Sequence, residues 1–329
     1  MKLKLFASAS VLAVLSAISV KAEAADMTPP PPSEFTVSIE GDFINLNALN
    51  LWWGVQDEAI SGSVCDPTSP GGYCEHNDVN PADPLSLQGW GGAVEFDWKP
   101  ANMGLDFLAR GRYSQSNTAN ISGTWGTADG GTNPDGGTAS YTESHTTLDF
   151  EVGHNLGIGG GLRVFGGVRY ARFNGQNSFS TYQYESDWFS DGGESAAQYA
   201  KGTMNRTFNG IGPRLGFNGS LPLGDSMFGI DYGASAALLL GDQATTIGFT
   251  EYSLQGVKPE GSSKFVVIPD IELSAALTVS PTDRMKLSVG YRYEEAFGVM
   301  DTGLPGVEDG PNHQDRIEQG PFAKLTFKF

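Results

Sequence analysis

From residue 35 onward, apolar and polar side chains alternate with a period of two in ten stretches: 35–47, 87–98, 103–113, 146–155, 162–173, 205–218, 226–241, 269–279, 283–294 and 317–329. In 283–294, Met285, Leu287, Val289, Tyr291 and Tyr293 fall on one face, opposite Arg284, Lys286, Ser288, Gly290, Arg292 and Glu294. In 269–279, Ile271, Leu273, Ala275, Leu277 and Val279 oppose Asp270, Glu272, Ser274 and Thr278. A strand sends successive side chains to opposite faces, whereas a helix would scatter these residues around its circumference. The pattern predicts ten β-strands with two different faces.

The connections sort by length. Those at 99–102, 157–161, 221–226 and 280–283 are tight, and those at 50–85, 118–140, 176–203, 242–264 and 300–314 are long and polar, in strict alternation. An up-and-down meander with this rhythm puts every long loop at one end and the short turns and both termini at the other. That asymmetry marks an outer-membrane barrel with periplasmic turns and extracellular loops. The predicted fold is all-β: a transmembrane antiparallel up-and-down barrel of ten strands. The extended-looking stretches 50–57, 178–185 and 244–252 are either strands continuing above the membrane or a further pair that makes twelve. An even count closes the sheet and leaves no edge in lipid.

The polar face is charged and nearly balanced in sign. It carries Glu40, Asp42, Glu95, Asp97, Asp106, Asp149, Glu151, Asp231, Asp270, Glu272, Glu294 and Glu318. Against these stand Arg110, Arg112, Arg163, Arg169, Arg206, Arg214, Arg284, Lys286, Arg292, Arg316, Lys324 and Lys328. A soluble sandwich would show this face to water and pack the apolar one. Two features favour lipid instead: Gly and Ala are abundant on the polar face, and aromatics sit at both ends of the apolar face. Trp98, Phe217, Phe228, Phe327 and Phe329 lie near the short turns or the C-terminus, and Tyr113, Tyr170, Phe173, Tyr291 and Tyr293 toward the long loops. Two aromatic girdles around an apolar band are what a lipid-facing barrel requires.

The N-terminus fits export. Lys2 and Lys4 precede an apolar stretch from Leu5 to Val20, and Ala22-Glu23-Ala24 has the small residues of a cleavage site. Residues 1–24 are read as a signal peptide, 25–34 as a Pro-rich periplasmic spacer and 35–329 as the barrel. The formal net charge of −18 becomes about −20 once Lys2, Lys4, Lys21 and Glu23 are removed, which argues against nucleic acid as a partner. Downstream of the signal no apolar run is long enough for a membrane helix. Cys65 and Cys74, nine positions apart in an exported chain, are expected to close a loop by a disulfide.

Catalytic chemistry finds little footing. His145 lies beside Glu143, and His313 near Asp309 and Asp315, but no Ser-His-Asp order or activated nucleophile accompanies them, so solvated loop residues are the preferred reading. The sequence 157–161 contains GxGxG but joins two strands, with no helix to cradle phosphate. Asp129 and Asp135 do not have the spacing of a calcium loop. Neither a cofactor nor a metal is expected, and no enzyme.

What remains is the lumen. The candidate lining residues are Glu40, Asp42, Glu95, Asp97, Arg110, Arg112, Asp149, Glu151, Arg163, Arg169, Arg214, Asp231, Asp270, Glu272, Arg284, Lys286 and Arg292. Asp270 and Arg292 are expected to face each other across the 280–283 turn. Such charges either line a water-filled pore, with weak ion selectivity because the signs balance, or pair across the lumen and fill it, since small barrels have little interior space. Acidic loops (Asp57, Glu58, Asp66, Glu75, Asp78; Glu185, Asp187, Asp191, Glu194; Asp301, Glu308, Asp309) would enrich cations at the mouth.

The hairpin 209–241 resembles that of the Legionella-type major outer membrane protein family. The resemblance rests on Gly210, Gly212-Pro213-Arg214, Gly216, the Pro222-Leu223-Gly224 turn and the Ala-rich strand ending in Leu240-Gly241. It implies a pore-forming barrel of the Gram-negative outer membrane and brings no specific ligand residue with it. The terminal Phe329 is similar to the last aromatic that the barrel-assembly machinery reads in many such proteins. The expectation is therefore porin-like passage of ions and small polar solutes, with outer-membrane lipid and the assembly machinery as partners and the oligomeric state open. The alternative is a structural or surface-interaction barrel, with a closed lumen, serving adhesion or envelope integrity.

Overall fold

The computed structural model describes residues 33–49, 85–101, 103–125, 135–157, 161–184, 197–224, 226–252, 261–301 and 313–329. The stretch read above as a signal peptide, almost all of that read as a Pro-rich spacer, stretch 50–57, Cys65, Cys74 and His76 lie outside the described residues. Within them the chain forms eleven strands: β1 (Glu34–Leu49), β2 (Leu85–Lys99), β3 (Leu105–Ser116), β4 (Ala119–Trp125), β5 (Asp135–Asn155), β6 (Arg163–Tyr184), β7 (Ala197–Pro222), β8 (Phe228–Tyr252), β9 (Gly261–Thr282), β10 (Met285–Asp301) and β11 (His313–Lys328).

Ten of these close a barrel. Every pairing is antiparallel, and β3 bonds to both β2 and β5, so the ring runs from β1 through β2, β3 and β5 to β11 and back to β1. Strand β4 pairs only with the far end of β5, from Ala119–Tyr141 to Trp125–Asp135, and prolongs β3 after a break at Asn117 and Thr118. The stretches 178–185 and 244–252 do not make a further pair: through Tyr184 and Tyr252 they are the upper parts of β6 and β8. At the seam β1 and β11 register from Thr36–Lys328 to Leu46–Glu318, and the Phe329 amide donates to the Phe35 carbonyl at 2.8 Å.

The strands are longer than a membrane needs. Strand β7 has 26 residues, whereas about 10 tilted residues cross a bilayer. The excess forms a second section whose pattern is inverted. On β6, Val164 and Val168 face outward while Arg163 and Arg169 are buried inside; farther along, Phe173 and Phe179 are buried inside while Gln176, Ser178 and Ser180 are exposed outside. On β7 the outward Phe217, Leu215 and Ile211 give way to Asn209 and Lys201, and the inward Arg214 to Phe208 and Met204. Below, the barrel's outside meets lipid and must be apolar. Above, it meets water, so the apolar side chains turn inward and pack.

The buried apolar core therefore lies above the membrane. Its main cluster holds Ala171, Phe173, Phe208, Ala237, Leu239, Ile268, Ala296, Val299 and Met300. A second holds Ile44, Leu46, Leu87 and Tyr141, and a third Ala139, Phe179 and Met204. The expectation that Phe173 belongs to the lipid-facing upper girdle is corrected here. It lies an even number of residues from Arg169, hence on the same face, and its ring stands 6.1 Å from that of Phe208 in the interior. Tyr113 and Tyr291 remain half-exposed outside, as does Trp90, whose ring meets Phe43 edge-on at 5.1 Å.

Two backbone features shape the charged section. A Cβ on Gly212 would lie 1.8 Å from the Leu238 carbonyl oxygen, so only glycine admits β8 this close. Pro213 beside it has no amide to donate, and the β7–β8 ladder skips from Ile211–Leu240 to Arg214–Ala237. The β7–β8 turn is closed by Leu223 N to Phe228 O (3.0 Å) and Ser226 Oγ to Leu223 O (2.6 Å), with Gly224 at φ 65°.

Candidate functional site

The charged face of the membrane section converges on the barrel axis. A ring of ten strands is narrow enough for long side chains from opposite walls to meet, and arginines from β3, β6, β7 and β10 interlock there with carboxylates from every side. At the centre, Arg169 is 1% exposed. It donates Nε and Nη2 to Asp149 at 2.8 and 3.0 Å, Nη1 to Asp270 at 2.6 Å and to Glu294 at 3.2 Å, and Nη2 to Glu272 at 2.5 Å. Glu272 also accepts from Arg110 (2.8 Å) and Arg214 (2.9 Å), with Arg292 Nε 3.2 Å away. Four guanidiniums from four strands thus share one carboxylate.

The network extends around the wall. Arg112 binds Asp42 (2.6 Å) and Glu294 (2.8 Å), and also Glu318, to which Ser114 donates at 2.8 Å. Arg292 donates to both oxygens of Glu40, at 2.5 and 2.8 Å. Arg163 joins Asp106 (2.6 Å) to Glu151 (2.9 Å), and Arg214 bonds the second Glu151 oxygen. The Arg163 and Arg214 guanidiniums each lie over the Phe165 ring, at 5.0 and 5.4 Å, as cation–π contacts inside the lumen. Asp270 and Arg292 do not face each other across the hairpin: Arg292 registers with Ser274, and Asp270 with Ala296. The tight 280–283 turn sets a register that separates them by several residues along the barrel wall, and each finds its partners across the lumen.

Toward the periplasm the lumen widens into a cavity of about 750 Å³. Its wall carries Lys324–Glu95 (2.8 Å), Lys286–Asp231 (2.7 Å), Lys328–Glu34 (2.6 Å), Lys99–Asp97 (3.5 Å) and, on the exposed β9–β10 turn, Arg284. Burial pushes the Glu34 carboxyl up, but its Lys328 and Lys99 neighbours outweigh this and hold it below the usual carboxylate range.

Above the apolar band stands a group that sequence reasoning did not assemble. His145 is buried, not a solvated loop residue: Nε2 lies 2.5 Å from Glu143 and Nδ1 2.8 Å from Glu318. Burial lowers its proton affinity, yet the two carboxylates outweigh that and raise its pKa to about 9. Arg316 grips Glu143 through Nε and Nη2 at 2.7 and 2.5 Å and bonds the Asn47 carbonyl at 2.7 Å, while Tyr141 donates to Glu143 at 2.8 Å. Burial raises the Glu143 pKa, but Arg316 and His145 prevail and bring it down to about 2. Parity was the available signal: Tyr141, Glu143 and His145 share odd numbering with the inward Asp149 and Glu151. His154, by contrast, meets the Gly104 carbonyl at 2.6 Å beside a short turn. Among the described residues no group of three His, Cys, Asp or Glu side chains is arranged to hold a metal ion.

Several solved barrels are similar to this chain. The outer membrane protease OmpT of Escherichia coli is 11% identical with a TM-score of 0.44, covering 93% of this chain and 100% of that one. The translocator domain of the autotransporter NalP from Neisseria meningitidis is 14% identical, TM-score 0.39, over 98% and 97%. A major outer membrane protein from Thermus thermophilus is 12% identical, TM-score 0.36, over 90% and 99%. No curated protein sequence matches the chain. The family described as the Legionella pneumophila major outer membrane protein precursor matches residues 44–329, most of the chain and all but the first part of the barrel. With its closed lipid-facing barrel, the chain is an outer-membrane protein and belongs to that family.

Proposed function

We propose that the protein is a pore-forming outer-membrane barrel, not an enzyme, with a lumen shut at rest by the arginine–carboxylate layer. Passive diffusion of ions and small polar solutes follows when that layer rearranges. The observation that carries this reading is the chemistry of the closure at membrane level. A permanently sealed barrel gains nothing from buried ion pairs, because apolar replacements of similar volume are often as stable or more so. Charged groups, however, can exchange partners and take up water. Asp42 Oδ1 and Asp270 Oδ2 are buried and bond no other protein atom among the described residues, which leaves both oxygens available to water. The periplasmic cavity leads up to it as a vestibule lined by both signs of charge, which supports weak selectivity.

A second reading has its own support. Above the charged layer the lumen is filled again, by the Phe173, Phe208, Val299 and Met300 cluster. Two closures in series favour a surface or structural barrel that works through its outer face. Planar-bilayer recording separates the two. A gated pore shows discrete conductance steps in the wild-type protein, and they become more frequent in Glu272→Ala. Folded protein that stays silent at every voltage, both as wild type and as Glu272→Ala, overturns the pore.

A further inference from the structure

A cavity lies on the outside of the barrel, on its lipid face near the periplasmic end. Strand β3 presents Phe107, Ala109 and Gly111 outward in succession. Ala109 registers with Phe96 of β2 on one side and Phe150 of β5 on the other, and Gly111 with Val94 and Leu148. The Ala109 methyl thus forms the floor between the Phe96 and Phe150 rings, and the Leu148 side chain leans over Gly111 and bounds the trough on that side. Phe96 is 46% exposed and Phe150 59%, so the walls stand clear of the sheet. At the periplasmic end the trough is closed by Phe107 stacked on Trp98, with ring centroids 5.7 Å apart and planes 30° apart. Phe35, stacked on Phe96 at 6.3 Å, extends the wall. The open trough has a volume of about 360 Å³. Its outward-pointing side chains are all apolar; Glu151 borders it, but its carboxylate is held inside the lumen by Arg163 and Arg214.

We infer that this trough binds one acyl chain of a phospholipid in the periplasmic leaflet. The trough is continuous with the apolar band that already meets lipid, and its blind end lies at the periplasmic girdle, so an acyl chain reaches it from the membrane interior. The trough is far smaller than the roughly 800 Å² per side that a stable partner needs, so a second barrel docked there would rest mainly on the surrounding apolar band. A narrow channel one side chain deep fits a flexible hydrocarbon chain; a second barrel would bridge it.

The test uses full-length protein reconstituted with dioleoylphosphatidylethanolamine, extracted into detergent and weighed by native mass spectrometry. Wild type is expected to keep one phospholipid per barrel after exchange. Ala109→Leu, which fills the floor, should lower the retained fraction at least fivefold, while Ala323→Leu on the lipid face of β11 leaves it unchanged. Absence of retained phospholipid on wild type overturns the site and requires no variant. Equal retention by Ala109→Leu overturns it too, and loss of a wild-type dimer in that variant would assign the trough to a second copy.

Discussion

Arg169 of β6 and Glu272 of β9 meet across the lumen at 2.5 Å, and the same carboxylate takes Arg110, Arg214 and Arg292. Five strands are cross-braced at one side chain. Glu272→Ala leaves four buried guanidiniums short of a partner, and removing one member of a buried pair costs about 3–5 kcal/mol. Urea titration in liposomes, followed by tryptophan fluorescence, should show a lowered midpoint of that size. Glu272→Gln, which can still accept hydrogen bonds, should lose less.

The apolar cluster above the membrane predicts a contrast between two phenylalanines. Phe208 is fully buried, whereas Phe150 points into lipid. Phe208→Ala empties a packed interior and should cost about 3–5 kcal/mol. Phe150→Ala exchanges ring–lipid for methyl–lipid contact and should cost less than half as much in the same titration.

A bulge on β10 delivers two consecutive side chains to that cluster. Register shifts between Ala296 and Met300, Gly298 sits at φ 66°, and both Val299 and Met300 end up 1% exposed. Gln243 of β8 donates to the Val299 carbonyl at 2.7 Å, and Asp315 of β11 accepts from the Gly298 amide at 2.7 Å. Gln243→Leu leaves that buried carbonyl unpaired, at about 1–3 kcal/mol. Hydrogen exchange should speed up around 296–300 while the membrane sections of β10 and β11 stay protected.

His145 predicts an alkaline transition. Its folded pKa of about 9 lies above the ordinary 6.5, so its contribution is complete below pH 6.5 and disappears as pH rises through 9. Stability should fall by on the order of 1–3 kcal/mol between pH 6.5 and 9.5. His145→Gln should flatten this slope. Glu143, depressed to about 2, acts at the other end: its contribution is present above pH 4.5 and is lost only as pH falls through 2.

If the barrel conducts, the vestibule charges belong to its entrance. Reversing Arg284 and Arg292 to Glu together should shift the reversal potential toward cation selectivity. An unchanged potential would place those side chains off the conducting path.

Alternation along the chain determined the closed antiparallel barrel, its ten crossings, the inward charges and the seam at Phe329. Lipid outside and a hydrogen-bonded ring leave each crossing strand one pattern to follow, and that pattern is local. The upper section was not legible in the same way. There alternation continues through Phe173, Gln176, Ser178 and Phe179, but water replaces lipid outside, so the same period carries the opposite sense and resembles long polar loops. Partner choice within the lumen was decided by tertiary structure alone. Register and barrel closure bring Arg169 to Glu272 and His145 to Glu318 from distant parts of the chain, and no spacing along the chain encodes a distance across a closed ring.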